Sequence, residues 1–269
     1  MGVFGKDDGR LDLTIVTPTY NSEKTIFQTC ESVKALVEHG AEHIIVDSYS
    51  TDNTIKFASQ YDNTILYYPR GNMYKAINFG VNHSSKSLIT YINSDDLLDS
   101  HSIMEAISMY PNIDMLYGYI TFIDERDNKL FDRRTLYPSL LRYVGRYYNP
   151  IFQQGMIFSR SVFDKLEGFN ESFKYSSDMD FILNIIYMDF NVARVNKVLG
   201  FFRISDGQLS TKDWHLMREE GPLIRKSINK KYKIKLNFIS LIFSRMLRLI
   251  FNFDLIVFGY LRKIKNAIF

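Results

Sequence analysis

The chain has 269 residues, of which 46% are hydrophobic and 23% charged. This balance supports one large α/β domain with an appendage and excludes wholesale disorder. A single cysteine, Cys30, excludes an internal disulfide framework and a multi-cysteine zinc site, and the five scattered histidines show no pair at helical ligand spacing. The net charge of +3 hides a split: residues 229–269 carry nine Lys or Arg against Asp254 alone, a net of +8, which leaves −5 on the remaining 228 residues. An acidic body with a basic, apolar tail reads as two objects joined together.

The start, Met1 to Asp12, is charged and Gly-rich and lacks the apolar run of a signal peptide, which predicts a cytosolic location. Leu13–Pro18 (LTIVTP) reads as a buried strand closed by Pro18. Asn21 or Ser22 is placed to cap a helix from Lys24 to Glu38 that ends near Gly40. A second strand, His43–Val46, ends at Asp47; Asp52–Gln60 is helical in pattern, and Thr64–Tyr67 is a third strand. Met73–Asn82 follows as a helix, and Leu88–Ile92 as a fourth strand ending in Asn93-Ser94-Asp95-Asp96. Strand and helix alternating at this spacing predict a parallel sheet covered on both faces, whose ligands gather beyond the carboxyl ends of its strands.

After Met109 the elements shorten: Met115–Phe122, a charged turn at Asp124–Asn128, then Gln154–Phe158. A helix over Asp178–Met188 and strands at Val192–Val195 and Leu199–Ile204 complete the body. The division expected from this pattern is 11–109 as a nucleotide-binding half, 110–228 as an acceptor half and 229–269 as a tail.

Three clusters carry chemistry. Asp95 and Asp96 are adjacent carboxylates at a strand end, and they repel unless a cation or a buried setting resolves the conflict. They suit a hard divalent ion such as Mg²⁺ or Mn²⁺, completed by phosphate oxygens and water, or else they cap the helix near Ser100; both readings stand at this level. Asp47 precedes the polar run Ser48 to Thr54, in which Ser50, Asp52 and Thr54 are read as turn and capping residues. Asp178 stands at a helix start, where the dipole favours its ionised form; it reads as a general base or as a cap.

Together these segments resemble glycosyltransferase family 2, the inverting sugar transferases of GT-A fold. The resemblance rests on Thr14–Asn21 (TIVTPTYN), Ile45–Thr54 (IVDSYSTDNT), Met73–Asn78 (MYKAIN), Tyr91–Leu97 (YINSDDL), Gln154–Phe181 and Gly207–Ser210 (GQLS), in the family's order. It implies a Rossmann-like, mostly parallel sheet flanked by helices, and a metal-dependent hexosyl or N-acetylhexosaminyl transfer from a nucleotide sugar, most often a UDP-sugar. By the same resemblance, Thr17, Pro18, Tyr20, Asp47 and Asn78 belong to the nucleotide site. Asn93, Ser94 and Asp95 fall on the DxD motif, with Asp95 and Asp96 as the metal carboxylates and Asn93 and Ser94 beside the nucleotide. Asp178 falls on the catalytic base, Gln154 on a glutamine beside the acceptor, and Gly207 and Ser210 on a loop over the diphosphate. The chain departs from the family pattern at Asn93, a neutral residue in the first DxD position, at Ser177 where many relatives place Glu, and at Arg70-Gly71-Asn72. His215 beside Trp214 is read as a surface or aromatic-packing residue, with reach to the ion or diphosphate from the C-terminal side as the alternative.

The tail interleaves basic residues with Phe, Ile and Leu, and its longest charge-free stretch, Leu236–Ser244, is far short of the ~20 residues that span a bilayer. A helix lying in the headgroup region is expected, peripheral on the inner face of the cell membrane, with packing on the body or on a second subunit as the alternative. Nucleic acid is not expected as a partner, because the body is acidic. The leading expectation is transfer to a lipid-linked saccharide in surface polysaccharide biosynthesis; the alternative from another class is an inactive nucleotide-sugar-binding or scaffolding module.

Overall fold

A computed structural model describes residues 10–205 and 214–251. The first half alternates strand and helix: β1 (Leu13–Thr19), α1 (Ile26–Glu38), β2 (Glu42–Asp47), α2 (Thr54–Ala58), β3 (Thr64–Tyr67), α3 (Met73–Asn82) and β4 (Leu88–Tyr91). These four strands pair in parallel in the order β3-β2-β1-β4, as the spacing predicts. Alternation along β1 decides the layers. Leu13 and Ile15 belong to the core beneath α1 and α4 (Ser100–Met109), whereas Val16 joins Ile44 and Val46 against α3. Close packing of α3 depends on Gly80, where a Cβ would come within 2.7 Å of Val16 and 2.9 Å of Val46.

The second half adds β5 (Leu97–Leu98), β6 (Met115–Ile123), β7 (Lys129–Arg133), α5 (Pro138–Gly145), β8 (Ile157–Ser159), α6 (Arg160–Lys165), α7 (Ser177–Tyr187) and β9 (Val192–Arg203). The sheet continues from β4 through β8, β6 and β9 to β5, with β7 paired to β6, and now includes antiparallel neighbours. It is the mixed α/β sheet, flanked by helices, that the sequence pattern implies. Phe158, Phe169 and Phe181 pack ring on ring under α7, with centroids 4.4 Å apart for Phe169 and Phe181. Two further helices close the described chain, α8 (Trp214–Lys231) and α9 (Phe238–Phe251). No helix among the described residues is long and apolar enough to cross a membrane.

Several sequence expectations are corrected. The two strands expected at Val192–Val195 and Leu199–Ile204 are the single strand β9, whose register against β6 shifts around Tyr117 to Ile120. Gly118 permits the shift, since a Cβ there would lie 2.6 Å from the Lys197 carbonyl. The helix expected from Asp52 begins at Thr54, because Asp52 accepts from the Thr54 N–H at 3.0 Å and so stays outside it. Neither Asn21 nor Ser22 caps α1 with its side chain; the Ser22 carbonyl accepts from Thr25 and Ile26, while the Asn21 amide oxygen accepts from the Thr51 N–H at 2.9 Å. The tail does not begin as a separate object at residue 229, since α8 runs on to Lys231. Residues 252–269 lie outside the described residues.

One contact joins the sheet to the loop before β8. Gly155 has φ +76°, and a Cβ on it would sit 2.3 Å from the Leu199 Cβ of β9. Gly155→Ala is therefore expected to destabilise the fold by about 1–3 kcal/mol or more, through overpacking and a disfavoured backbone conformation. An unchanged urea unfolding midpoint would contradict this close approach.

Candidate active site

The carboxyl ends of β1, β2 and β4 open on one side of the sheet, and the polar segments found in the sequence lie there. At the end of β2, Asp47 is fully buried and accepts from the Ser50 N–H at 2.8 Å and the Ser50 hydroxyl at 2.5 Å. Ser50 and Asp52 are thus the turn and capping residues expected of them, the latter also accepting from the Glu23 N–H at 3.1 Å. Pro18 is buried and Tyr20 is exposed at the end of β1, with the Arg70 guanidinium 4.1 Å above the Tyr20 ring. Next to this pair Tyr49, at φ +60°, stacks on Tyr67 with centroids 5.7 Å apart, and both rings are exposed.

Two residues assigned to the nucleotide site point elsewhere. Thr17 is fully buried on the α1 side of β1, with its hydroxyl 3.0 Å from the His43 ring. Burial pushes that imidazole down to about 4, so the pair is a neutral core contact rather than a ligand contact. Asn78 is a structural clamp: it donates to the Phe169 carbonyl at 2.8 Å and accepts from the Phe169 N–H at 2.9 Å. Its amide is committed to the loop ahead of α7, so it has no free group for a nucleotide.

After β4 the chain turns through Asn93 to Asp96, closed by the Asp96 N–H donating to the Asn93 carbonyl at 3.1 Å. Ser94 is drawn to Ser22, hydroxyl to hydroxyl at 2.7 Å. Asp95 is partly exposed, whereas Asp96 is 1% exposed. The Asp96 oxygens accept from the Arg203 N–H at 2.9 Å, the Gln154 amide at 2.8 Å and the Asn93 amide at 3.3 Å. Burial, followed by the Asp95 charge, pushes its carboxyl well above the ordinary range. Asp96 is therefore not a metal carboxylate, because its oxygens are turned inward and already bonded. It does not cap α4 either; Asp99 does, accepting from the Ser102 N–H at 2.8 Å. The neutral Asn93 has its role here, donating where a second carboxylate would repel.

Among the described residues no group of three or more His, Cys, Asp or Glu converges on a metal position. Asp95 alone can offer an accessible carboxylate at this turn. That fits an ion of the Mg²⁺ or Mn²⁺ kind, which takes one or two carboxylates and completes its shell with substrate phosphates and water.

On the other side of the crevice Asp178, half-buried, lies in the first turn of α7. The Tyr74 hydroxyl of α3 donates to its Oδ1 at 2.9 Å. Glu220 of α8 holds the approach to this turn, accepting from the Lys174 N–H at 2.8 Å and the Tyr175 N–H at 2.9 Å. Burial raises the Asp178 carboxyl above the usual carboxylate range; the bonds from Tyr74 and the Met179 N–H oppose this, and the Glu220 charge adds to it. Fully buried Tyr91 of β4 feels both Asp178 and Asp96, each of which pushes its phenol up after burial itself. The two carboxylate clusters, 82 positions apart from Asp96 to Asp178, thus both lie near Tyr91. Gln154 stands beside Asp96 with its amide oxygen buried and unpartnered. Gly207 and Ser210 lie outside the described residues, as does the side chain of His215 in α8.

The sequence reading missed Arg203, Tyr74 and Glu220 as site residues. The Arg203 guanidinium donates to the Asp95 carbonyl at 2.8 Å and pairs with Asp127. Its sequence signal is a lone cation ending an apolar strand; Tyr74 and Glu220 leave none.

In a sheet of this topology ligands bind beyond the carboxyl ends of the strands, which is where these carboxylates lie. The profile of glycosyl transferase family 2 matches residues 14–166, and the chain belongs to that family. An uncharacterised glycosyltransferase of Mycobacterium tuberculosis is 27% identical over 179 residues, 64% of this chain and 67% of the relative. The UDP-Glc:alpha-D-GlcNAc-diphosphoundecaprenol beta-1,3-glucosyltransferase WfgD of Escherichia coli is 25% identical over 236 residues, 79% of this chain and 88% of the relative. Among solved structures, S. aureus TarS with UDP-GlcNAc superposes with a TM-score of 0.62 at 16% identity, covering 82% of this chain and 71% of that one. The glucosyl-3-phosphoglycerate synthase of M. tuberculosis, with Mn²⁺ and UDP, gives 0.58 at 18% identity over 79% of each chain. The fold is GT-A and the chain is a glycosyltransferase.

The Tyr74 bond favours the ionised form of Asp178, and the Glu220 charge disfavours it. If Asp178 acts as a base, Tyr74→Phe moves the acid limb of the kcat/KM profile to higher pH, and Glu220→Gln moves it to lower pH. Opposite displacements in a transfer assay run across pH test the pair; equal profiles would contradict the assignment.

Proposed function

We propose that this chain is an inverting, metal-dependent transferase that moves a hexosyl or N-acetylhexosaminyl group from a UDP-sugar to an acceptor hydroxyl. The acceptor is a lipid-linked saccharide in surface polysaccharide assembly. The observation that supports the reading is that Asp95, partly exposed, follows β4, while Asp178, half-buried and of raised pKa, starts α7 and raises the pKa of buried Tyr91 of β4. Two carboxyl groups held in different environments suit different tasks.

The Tyr20–Arg70 pair offers a face on which a base can stack and a cation near its phosphates. Asp47 serves a uracil imide if that N–H replaces the Ser50 hydroxyl now bonded to it. Asp95 holds the divalent ion, with Asn93 and Ser94 shaping its turn. That ion, Mn²⁺ or Mg²⁺, supplies charge neutralisation to the diphosphate. Asp178 accepts the proton of the acceptor hydroxyl while its oxygen attacks the anomeric carbon from the face opposite the diphosphate. The new C–O bond forms as the bond to the diphosphate breaks, so the centre inverts in one displacement and no covalent sugar–enzyme species forms. Tyr74 keeps the Asp178 carboxylate aimed, and Gln154 sits where an acceptor approaches.

In this reading residues 11–109 form the nucleotide half, 110–228 the acceptor half, and 229–269 the contact with the inner membrane surface. The lipid-linked acceptor is supported by WfgD, whose name carries a diphosphoundecaprenol substrate. Mn²⁺ is supported by the mannosyltransferase of Pyrobaculum calidifontis and the mycobacterial synthase, both solved with that ion. The bond from Asn93 to Asp96 gives the neutral residue a function, which removes the sign of decay behind a scaffold reading.

Asp178→Asn is expected to retain UDP binding and to slow transfer by roughly 10²–10⁴. Asp95→Ala is expected to lose Mn²⁺-dependent UDP binding in calorimetric titration. A folded wild-type protein that binds no uridine nucleotide in the presence of Mn²⁺ would sink this reading.

A further inference from the structure

Helix α9 is turned inside out. Its inward row is Ser240, Ser244, Leu247 and Phe251, with Ser244 fully buried and its hydroxyl unpartnered. Its outward row carries the larger apolar residues: Phe238, Ile239, Ile242, Phe243, Met246 and Ile250 are 41–79% exposed. A water-facing helix places its apolar stripe inward, so this outward stripe belongs against another apolar phase. Over its 14 described residues the helix is about 21 Å long, less than a hydrocarbon core of ~30 Å and enough to lie along one.

Beside α9 a pocket of about 470 Å³ opens between the end of α5 and α8. Arg146, Arg225 and Lys226 line it with Tyr148, Leu236 and Leu241 complete the apolar side, and no carboxylate lines it among the described residues. Its wall is braced to α9, since the Tyr147 hydroxyl donates to the Asn237 carbonyl at 3.1 Å and lies 2.6 Å from the Ser240 hydroxyl. The Arg146 Nε is buried without a hydrogen-bond partner. The Arg225 guanidinium lies over Gly221, where a Cβ would come within 3.4 Å of it, and burial disfavours its charged form. Arg146 and Arg225 are half-buried and Lys226 is exposed at the rim. Half-buried cations in a pocket lined by no carboxylate lower their energy by taking up an anion, and guanidinium groups match phosphate oxygens in geometry.

We propose that the pocket of Arg146, Arg225 and Lys226 seats the phosphate of an anionic membrane lipid while the outward face of α9 lies in the acyl boundary of the same leaflet. The surroundings complement such a leaflet in charge: Lys230, Lys233, Lys235 and Arg245 are exposed along the same end of the chain. The inference deepens the membrane-surface reading above and is independent of the sugar chemistry, because none of these residues touches the Asp95–Asp178 crevice.

The test uses the full chain in two arms. In the first, sedimentation with phosphatidylcholine vesicles, with and without phosphatidylglycerol, compares Arg146→Gln/Arg225→Gln with a charge-matched surface pair, Lys233→Gln/Lys235→Gln. In the second, calorimetry follows binding of monomeric short-chain phosphatidylglycerol and, separately, of inorganic phosphate. The arginine pair is expected to lose about tenfold more vesicle affinity than the lysine pair, and to abolish short-chain lipid binding that the lysine pair retains. Equal losses in the two pairs, or wild type that does not take up the short-chain lipid, overturn the pocket while vesicle binding still supports the membrane reading. Short-chain lipid bound through the arginines, with the protein left unsedimented by vesicles, supports the pocket and removes the membrane reading. Inorganic phosphate bound as tightly as the lipid overturns the lipid assignment. If the arginine pair fails to fold, Arg225→Lys replaces it, and unchanged short-chain lipid binding there overturns the proposal.

Discussion

A carboxylate taken out of water has to be satisfied by donors, and Asp96 is satisfied from two distant stretches of chain and from its own turn. The Arg203 N–H at the end of β9, the Gln154 amide before β8 and the Asn93 amide in its own turn all converge on it. Removing any one would leave a buried acceptor short of partners, a loss of about 1–3 kcal/mol or more for a charged group. This convergence sets the turn after β4, so Asp95 faces the crevice because Asp96 is held inward. The β5–β9 pairing of Leu97 with Phe201 continues the same junction and brings β9 across the end of β4. The turn holding Asp95, the segment holding Gln154 and the end of β9 are thereby fixed relative to one another by hydrogen bonds rather than by packing alone.

The other half of the site is positioned in a similar way. Asn78 binds both main-chain groups of Phe169, and Asn72, one residue before α3, donates to the Glu171 carbonyl at 2.9 Å. Helix α3 therefore anchors the whole loop that leads into α7. From the opposite side Glu220 takes the Lys174 and Tyr175 N–H groups. Asp178 then begins its helix between two clamps, and Tyr74 sets the carboxylate itself. A carboxyl whose proton affinity is set by one donor and one nearby charge, as that of Asp178 is by Tyr74 and Glu220 beside its burial, responds to small shifts in either.

The outward stripe of α9 and the cationic pocket beside it belong to a different physical regime from the crevice. The crevice is ordered by the hydrogen bonds that converge on Asp96 and on the loop before α7, whereas the foot exposes apolar area and positive charge to water. A net of −5 on the body repels an anionic leaflet and a net of +8 on residues 229–269 attracts it. In the proposed membrane contact that asymmetry would orient the molecule, with long-range charge acting first and apolar burial afterwards.

Much of this was legible before any coordinates. The strand–helix alternation, with β3 and α3 at their observed bounds, follows from hydrophobic period and turn residues, because those signals are local. Asp47, Asp95 and Asp178 stand out because their order along the chain matches one family; taken singly, a carboxylate at a strand or helix end reads as easily as a turn or capping residue. The short elements β5, β7, α5 and α6 were not legible, since a few residues carry too little periodicity to distinguish strand from loop. Nor could the sequence tell Asp95 from Asp96, or reveal that Thr17 and Asn78 turn away from the crevice. Burial and hydrogen-bond partners are set by residues up to 107 positions away, as with Arg203 and Asp96. The sequence by itself determined which chemical groups the protein has and which elements carry them; only the tertiary structure decided which of them face solvent, because that depends on long-range contacts made when the sheet assembles.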